Sequence, residues 1–397
     1  MNQDWIKKIQ DRVKKVPITS GRSNKWGKIS WNDLVFVPAQ LNKKPVDYFR
    51  EEISSKTIIG KNSKKPIEIN TPIIIGAISF GAVSKEAKVA LAKASDLAGT
   101  IENTGEGGVL PEEREFSERL IIQYSTGRFG ITEEVLKKAD AIEIKIGQGA
   151  KPGQGGLLPK EKVTEEIAEI RKVEKGKDIR SPAYHLDIKN IDDLRKKVGW
   201  LRDLTEGVPI IIKLAAGDIE NDIKLAVKAN PDIIAIDGME GGTGAAPEVM
   251  LDEVGIPTLV ALVKAREVLN KIGAKQELWI GGGLNKGGDF AKALALGANA
   301  VFCATSLLIT MGCIQCRLCY QGKCPKGIAT QDPELRKNLN IEEASQNVAS
   351  FIKNCTEEIK MIAGAGGKNN IHNLSKDDLR ALNSEIAKIT KIKLVSE

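Results

Sequence analysis

From residue 72 onward, short apolar runs alternate with stretches whose apolar positions recur at helical spacing. PIIIGAISFG, beginning at Pro72, reads as a buried strand, because β-branched residues crowd it and glycines close it. SKEAKVALAKASDLAG follows as a helix with Ser84 as N-cap, Ala87, Ala90, Leu91 and Ala94 on one face, and Gly99 as its stop. The same beat returns in the second half: strand VPIIIKLAAG, helix DIENDIKLAVKANP, strand DIIAIDGMEGGTG, helix TLVALVKAREVLNKIG, strand ELWIGGG, helix GGDFAKALALG, strand ANAVFCAT. Candidate strands lie near 72–78, 100–103, 141–146, 181–184, 209–214, 232–237, 277–281 and 299–303.

Repeated βα units need right-handed crossovers and hence a parallel sheet, doubly wound or closed into an eightfold barrel. Eight candidate strands favour the barrel. No G-x-G-x-x-G stands between a strand and a helix, as a dinucleotide-binding unit would require. Glycines cluster instead after several different strands, in GAISFGA, NTGEGG, GQGAKPGQGG, GMEGGTGAA and WIGGGL. In a barrel those loops surround one mouth, where backbone N–H groups can approach a phosphate or a flat ring closely. Tight turns alone would not explain the polar residues beside them. Lys145 and Lys213 sit on short strands, where an ammonium is costly to bury without an anionic or electron-rich partner, and Gln123, Gln148, Lys151 and Glu106 lie in or beside glycine loops.

Composition narrows the class. The chain has 397 residues, 42% of them hydrophobic but only 4% aromatic, with 38 glycines, which suits an α/β protein better than an aromatic-cored sandwich. Its net charge of +7 is concentrated near the start, in KKIQDRVKKVPITSGRSNKWGK, and no nucleic-acid module accompanies it, so no nucleic-acid partner is expected. Met1 to Lys15 is charged throughout and no apolar run is long enough for a membrane span. A cytoplasmic location is expected, where clustered thiols hold metal more often than they form disulfides. With His185 and His372 the only histidines, a histidine-rich metal site is excluded.

Four of the six cysteines fall in one run, GCIQCRLCYQGKCPKGIATQ: Cys313-x2-Cys316-x2-Cys319-x4-Cys324, followed by Pro325. Structural zinc would want two separated pairs, whereas close succession in a glycine-containing loop suits an iron–sulfur cluster. Inert buried cysteines are a third reading.

Together ISFGAVSKEA, ENTGEGG, QYSTGRFGIT, EIKIGQGAKPGQGG, RSPAYHLDI, DGMEGGTGAAP and GCIQCRLCYQGKCPKGIATQDPELR resemble the FMN-binding synthase domain of glutamate synthase, from about Trp31 to beyond Arg336. The resemblance implies a (β/α)8 TIM barrel over 66–311 that binds FMN. It also implies an iron–sulfur cluster loop over 312–336; residues 1–65, which precede the first strand, are expected as an N-terminal extension, and 337–397, with helical patterns such as EEASQNVASFIKNCTEEIKMIAG, as a C-terminal helical extension. The resemblance implies a [3Fe–4S] cluster held by Cys313, Cys319 and Cys324, with Cys316 either a bystander or the fourth ligand of a [4Fe–4S] centre. By similarity, 2-oxoglutarate condenses with ammonia to 2-iminoglutarate, which a hydride from FMN reduces to L-glutamate. Ser79, Asn103, Gln123 and Lys213 would contact the FMN ring or ribityl chain, Lys213 also serving catalysis at the N1/C2 edge. Gly242, Thr243, Gly282, Gly283, Ala304 and Thr305 would surround its phosphate. Gln148, Lys151 and Arg171 would hold 2-oxoglutarate, and Glu106 would be the catalytic polar group near the imine.

Departures from the family pattern are Ile78, where a methionine is common, Leu157, where a glutamine often follows the double glycine, and His185, which stands in place of one of two paired histidines. No cysteine precedes Cys303, so the catalytic cysteine of a glutaminase is not expected, and separate glutaminase and electron-donor subunits or ferredoxin would be partners in an oligomeric assembly. Two other readings remain: an N-methylglutamate synthase type subunit using methylamine or a carried amine, and a non-catalytic flavin and iron–sulfur electron-relay subunit.

Overall fold

A computed structural model describes residues 3–23 and 29–397; positions 24–28 of the expected N-terminal extension, and part of its basic stretch, lie outside the described residues. Eight strands close into a parallel barrel in chain order: β1 (Ile73–Ile75), β2 (Glu102–Asn103), β3 (Leu120–Tyr124), β4 (Ala141–Lys145), β5 (Ile210–Ala215), β6 (Ile233–Asp237), β7 (Glu277–Gly281) and β8 (Ala300–Cys303). The chain is therefore a (β/α)8 barrel, with seven of its eight strands where the apolar runs placed them. The eighth differs: Ser181–Tyr184 is irregular, and Leu120–Tyr124 takes its place in the sheet. Pro182 has no N–H to give to a ladder and Tyr184 faces solvent, whereas LIIQY is buried along its whole length.

Period-2 alternation sorts the strand residues into two cores. Ile74, Ile121, Ala141, Ile211, Ile233, Ala235, Trp279 and Ala300 fill the barrel interior. Their neighbours Ile73, Ile75, Ile122, Ile142, Ile212, Ile234, Leu278 and Val301 pack outward under the helices. Those helices include α1 (Lys85–Ala98), α2 (Ile191–Leu204), α3 (Ile219–Lys228), α4 (Thr258–Lys271) and α5 (Gly287–Ala295). Helix α1 starts where Ser84 accepts a hydrogen bond from the Ala87 amide and stops at Gly99, whose φ of 63° is left-handed. Its face Ala87, Ala90, Leu91 and Ala94 is fully buried. A long helix, α6 (Ile341–Ala365), lies against α1 and α5.

The chain before β1 reaches both ends of the barrel. A hairpin of Thr57–Ile59 with Ile67–Ile69 closes the N-terminal end, where Ile59 and Ile69 join the interior core and the Lys61 amide donates to Glu277 at the start of β7 (2.9 Å). A second segment, Ile18–Gly21, pairs antiparallel with Thr243–Pro247 after β6. Leu34–Phe36 pairs with Leu379–Ala381, tying the two ends of the chain together. Among the described residues no helix is long and apolar enough to cross a membrane.

Candidate active site

The C-terminal mouth of the barrel opens on a cavity of ≈ 620 Å³, within the range of small-molecule and cofactor sites. The loops after β1, β2, β4, β6, β7 and β8 line it, as does the cysteine loop. Ser79, Glu106, Gln123, Gln148, Lys151, Arg171 and Lys213 all reach this cavity, together with the glycine-loop set Gly242, Thr243, Gly282, Gly283, Ala304 and Thr305. Asn103 does not line it: its side-chain oxygen accepts the Gly105 amide (3.0 Å) and so shapes the loop that carries Glu106. Cys313 and Cys319 line the cavity, Cys324 is buried beside it, and Cys316 faces solvent.

Inward strand positions build a charged layer above the apolar interior. Glu143, two residues before Lys145 on β4, accepts from Gln123 Nε2 on β3 (2.6 Å) and lies 3.6 Å from Lys213 Nζ on β5. Lys213 also sits 5.2 Å over the Phe302 ring of β8. One level higher, Lys145 Nζ lies 3.0 Å from Glu106 Oε2. Burial alone would raise the Glu106 carboxyl, but the Lys145 ammonium, with hydrogen bonds from Ser181 and Ser125, outweighs it and holds the group at about 2. Glu106 is therefore ionised at neutral pH.

Three cations in the cavity lack such a partner or share one. Burial pushes Lys151 down to about 8, with Lys145 adding repulsion. Arg171 is lowered to about 10 by burial and donates through Nε (3.2 Å) and Nη2 (2.5 Å) to the Phe80 carbonyl. Lys162, which sequence reasoning did not single out, is lowered to about 8 by burial, against the pull of the Cys319 thiol. His185 is a strut: burial and then Arg128 push it to about 4. A guanidinium can only donate and a carbonyl only accept, so Nδ1 accepts a hydrogen bond from Arg128 (2.6 Å) and Nε2 donates one to the Lys145 carbonyl (2.8 Å).

Asp237, at the end of β6, accepts the Gly149 amide (2.8 Å) and so fixes the loop that presents Gln148 and Lys151. Two glycines at the mouth, Gly282 (φ +115°) and Gly283 (φ +77°), hold conformations that side chains rarely adopt. At Gly242 a Cβ would lie 2.3 Å from Thr305 Oγ1, so the bare backbone of the β6 loop packs there against the Thr305 side chain that follows β8. That cradle, with cations above the interior layer, fits a planar cofactor carrying a phosphate.

The cysteine loop divides its thiols. Burial raises Cys313 and Cys319, and each is raised further by the other two of the set Cys313, Cys319 and Cys324 or by one of them; Cys316 acts only on Cys313. Among the described residues no three His, Cys, Asp or Glu side chains converge on a single-ion site. An iron–sulfur cluster is wider than one ion, and Cys313, Cys319 and Cys324, one buried and two half-buried in a single loop, are thiol donors of the kind such a cluster takes.

The family model described as the conserved region in glutamate synthase matches residues 2–369. A glutamate synthase large subunit-like protein of Rhizobium meliloti is 39% identical over 92% of this chain and 87% of its own length. An archaeal glutamate synthase [NADPH] of Methanocaldococcus jannaschii is 39% identical over 96% and 81%. The chain belongs to the glutamate synthase family. Solved structures share the fold at low identity: a lactate oxidase of Pediococcus acidilactici (TM-score 0.60, 14% identity, 92% of this chain and 89% of that one) and a chimera of (S)-mandelate dehydrogenase (0.60, 17%, 91% and 93%).

Within this glutamate synthase fold, several site residues carried no sequence motif. Glu143 had one usable signal, since in AIEIK it shares the inward face of Lys145. Ser20, Gly21 and Arg22 line the cavity because of a strand pairing across more than two hundred residues, which leaves no local trace.

Proposed function

We propose that this chain is an oxidoreductase of the glutamate synthase type that uses FMN and an iron–sulfur cluster to make L-glutamate from 2-oxoglutarate and ammonia through 2-iminoglutarate. The observation that carries this reading is the convergence of an ionised carboxylate, Glu106, with Lys145, Lys151 and Arg171 in one cavity walled by glycine loops and the cysteine loop. A dicarboxylate dianion needs cations, and Lys151 is a buried ammonium that a dianion would hold charged. Gln148 adds an amide donor, and Arg171, with its Nε and Nη2 committed to Phe80, presents its remaining edge. Glu106, ionised and rigidly paired, favours a cationic iminium and can take or orient a proton at the amine nitrogen.

Gln123, Ser79 and Lys213 would hold the ring and ribityl chain of FMN, and the β6, β7 and β8 loops its phosphate. When bound, FMN supplies the hydride and the cluster supplies electrons singly. Cys313, Cys319 and Cys324 would hold the cluster as [3Fe–4S], with solvent-facing Cys316 outside it. Ammonia and electrons would come from partner polypeptides or from free ammonia and ferredoxin.

One observation favours a second reading. Leu157 lines the cavity, and an apolar side chain there would tolerate a methyl-bearing amine and so N-methylglutamate formation. A non-catalytic relay subunit would have no use for the buried cations at Lys151 and Arg171. The test is anaerobic purification with flavin and iron counting and electron paramagnetic resonance, then assay of glutamate against N-methylglutamate with a reduced donor. One FMN, a [3Fe–4S] signal and glutamate formation are expected; a colourless, iron-free protein unable to take up FMN refutes the reading.

A further inference from the structure

Several enclosed ammonium groups in this barrel come with carboxylates: Lys88 with Glu102 and Glu113, Lys145 with Glu106, Lys213 with Glu143. Lys162, like Lys151, does not. Its side chain is buried at 4% exposure, and among the described residues no carboxylate pairs with it. Its Nζ donates to the Ala82 carbonyl in the β1–α1 loop (2.8 Å) and lies 3.5 Å from the Cys319 carbonyl. Its stem packs against Gly322, where a Cβ would sit 3.4 Å from Cγ. The charged or titratable groups that face it are Arg171, which repels it, and the Cys319 and Cys324 thiols. A buried charge without a partner is costly, and one beside another cation more so. Its counter-charge has to lie on the side of the cysteines.

We propose that Lys162 is the fixed counter-charge of the iron–sulfur centre, pinning the Cys319–Cys324 arm to the β1–α1 loop and raising the centre's reduction potential. The inference rests on the cysteine-loop reading above and adds to it a residue with no cysteine motif of its own. A positive charge beside the centre favours the state with one more electron, and net local charge is one of the protein's levers on cluster potential. Lys162 also lines the cavity, so the same side chain borders the cysteine arm and the cofactor space.

The test uses the full chain, purified anaerobically as wild type, Lys162→Met and Lys162→Arg, and titrated with dithionite and mediators under electron paramagnetic resonance. Each centre takes up one electron from dithionite. At the wild-type midpoint the reduced-to-oxidised ratio of iron-loaded Lys162→Met should fall by about tenfold, a shift of about 59 mV for one electron. Lys162→Arg should titrate with the wild type. An iron-loaded Lys162→Met that titrates with the wild type overturns the proposal. If Lys162→Met loses iron while Lys162→Arg keeps it, the charge requirement is upheld; loss from both makes side-chain shape the requirement and overturns it. A wild type without iron overturns the cysteine-loop reading itself and the proposal with it.

Discussion

Glu102→Gln should make the protein more stable at alkaline pH. Lys88 Nζ lies 2.6 Å from Glu102 and 2.8 Å from Glu113, with all three side chains fully enclosed between α1 and β2. Two carboxylates share one ammonium, and the second oxygen of Glu102 has no hydrogen-bond partner among the described residues. Burial pushes the Glu102 carboxyl from its ordinary 4.5 up to about 7, with Lys88 opposing and Glu113 adding to the rise. A carboxyl raised in the folded state contributes stability that is complete below pH 4.5 and is lost as pH climbs through about 7. At about 1.4 kcal/mol per pH unit, the wild type loses roughly 3 kcal/mol across that window. Glutamine keeps the shape and an acceptor for Lys88 but cannot ionise, so the variant should not lose it. Urea unfolding at pH 5 and pH 8 reads the difference directly, with the midpoint moving and the slope unchanged. Wild-type and variant profiles that run parallel with pH would refute the reasoning. Lys88 also donates to the Ile78 carbonyl (2.8 Å), so the triad underlies the loop that presents Ser79 to the cavity.

Glu106→Gln should lower glutamate formation by roughly 10²–10⁴-fold, the usual range for a proton-transfer group, while FMN uptake followed by visible absorption is retained. Lys213→Met should weaken FMN binding by about 10–100-fold, equivalent to roughly 1.5–3 kcal/mol for a hydrogen bond to a charged group, measured by fluorescence titration of the apoprotein. Gly99→Ala should destabilise the fold by about 1–3 kcal/mol in urea, because φ there is +63° and the new Cβ would meet Asn70 Nδ2 at 2.3 Å.

The legibility of this barrel tracks how local its signals are. Strands β5 to β8 are largely apolar runs, the first three closed by glycine, and the helices between them carry stops within a few residues, so sequence alone places them. Strand β2 is only two residues long and β3 follows the short helix Pro111–Phe116, so the even strand-helix spacing breaks there. The β-branched and aromatic content of LIIQY was available, but it sits against the charged SERL and the polar STGR, which mask it as a loop. The expected strand at Ser181–Tyr184 falls in the long connection from β4 to α2, which does contain an ordered element. That element lies one step earlier: Ile179–Arg180 pairs with Leu157–Leu158 at the cavity rim. The approach of Ile18–Gly21 to the mouth depends on a pairing that no window along the chain contains.

The site itself was legible wherever a charge had to be explained. Lys145 and Lys213 on strands demanded anions, and the fold supplies them from its own chain as Glu106 and Glu143. Cations satisfied in this way are held in place by the fold and still line the cavity, but their charge is already balanced before anything binds. Lys151 and Lys162 are buried with no such partner, one standing in the loop after β4 and the other beside the cysteine arm. Folding an unbalanced ammonium into a low-dielectric site is unfavourable unless a ligand returns the missing charge. On the proposed function, the unbalanced positions mark where anions would bind, a dicarboxylate at the first and a cluster of thiolates and sulfides at the second. On this argument the two lysines are coupled to different ligands, and removing either charge should disturb its own partner and leave the other in place.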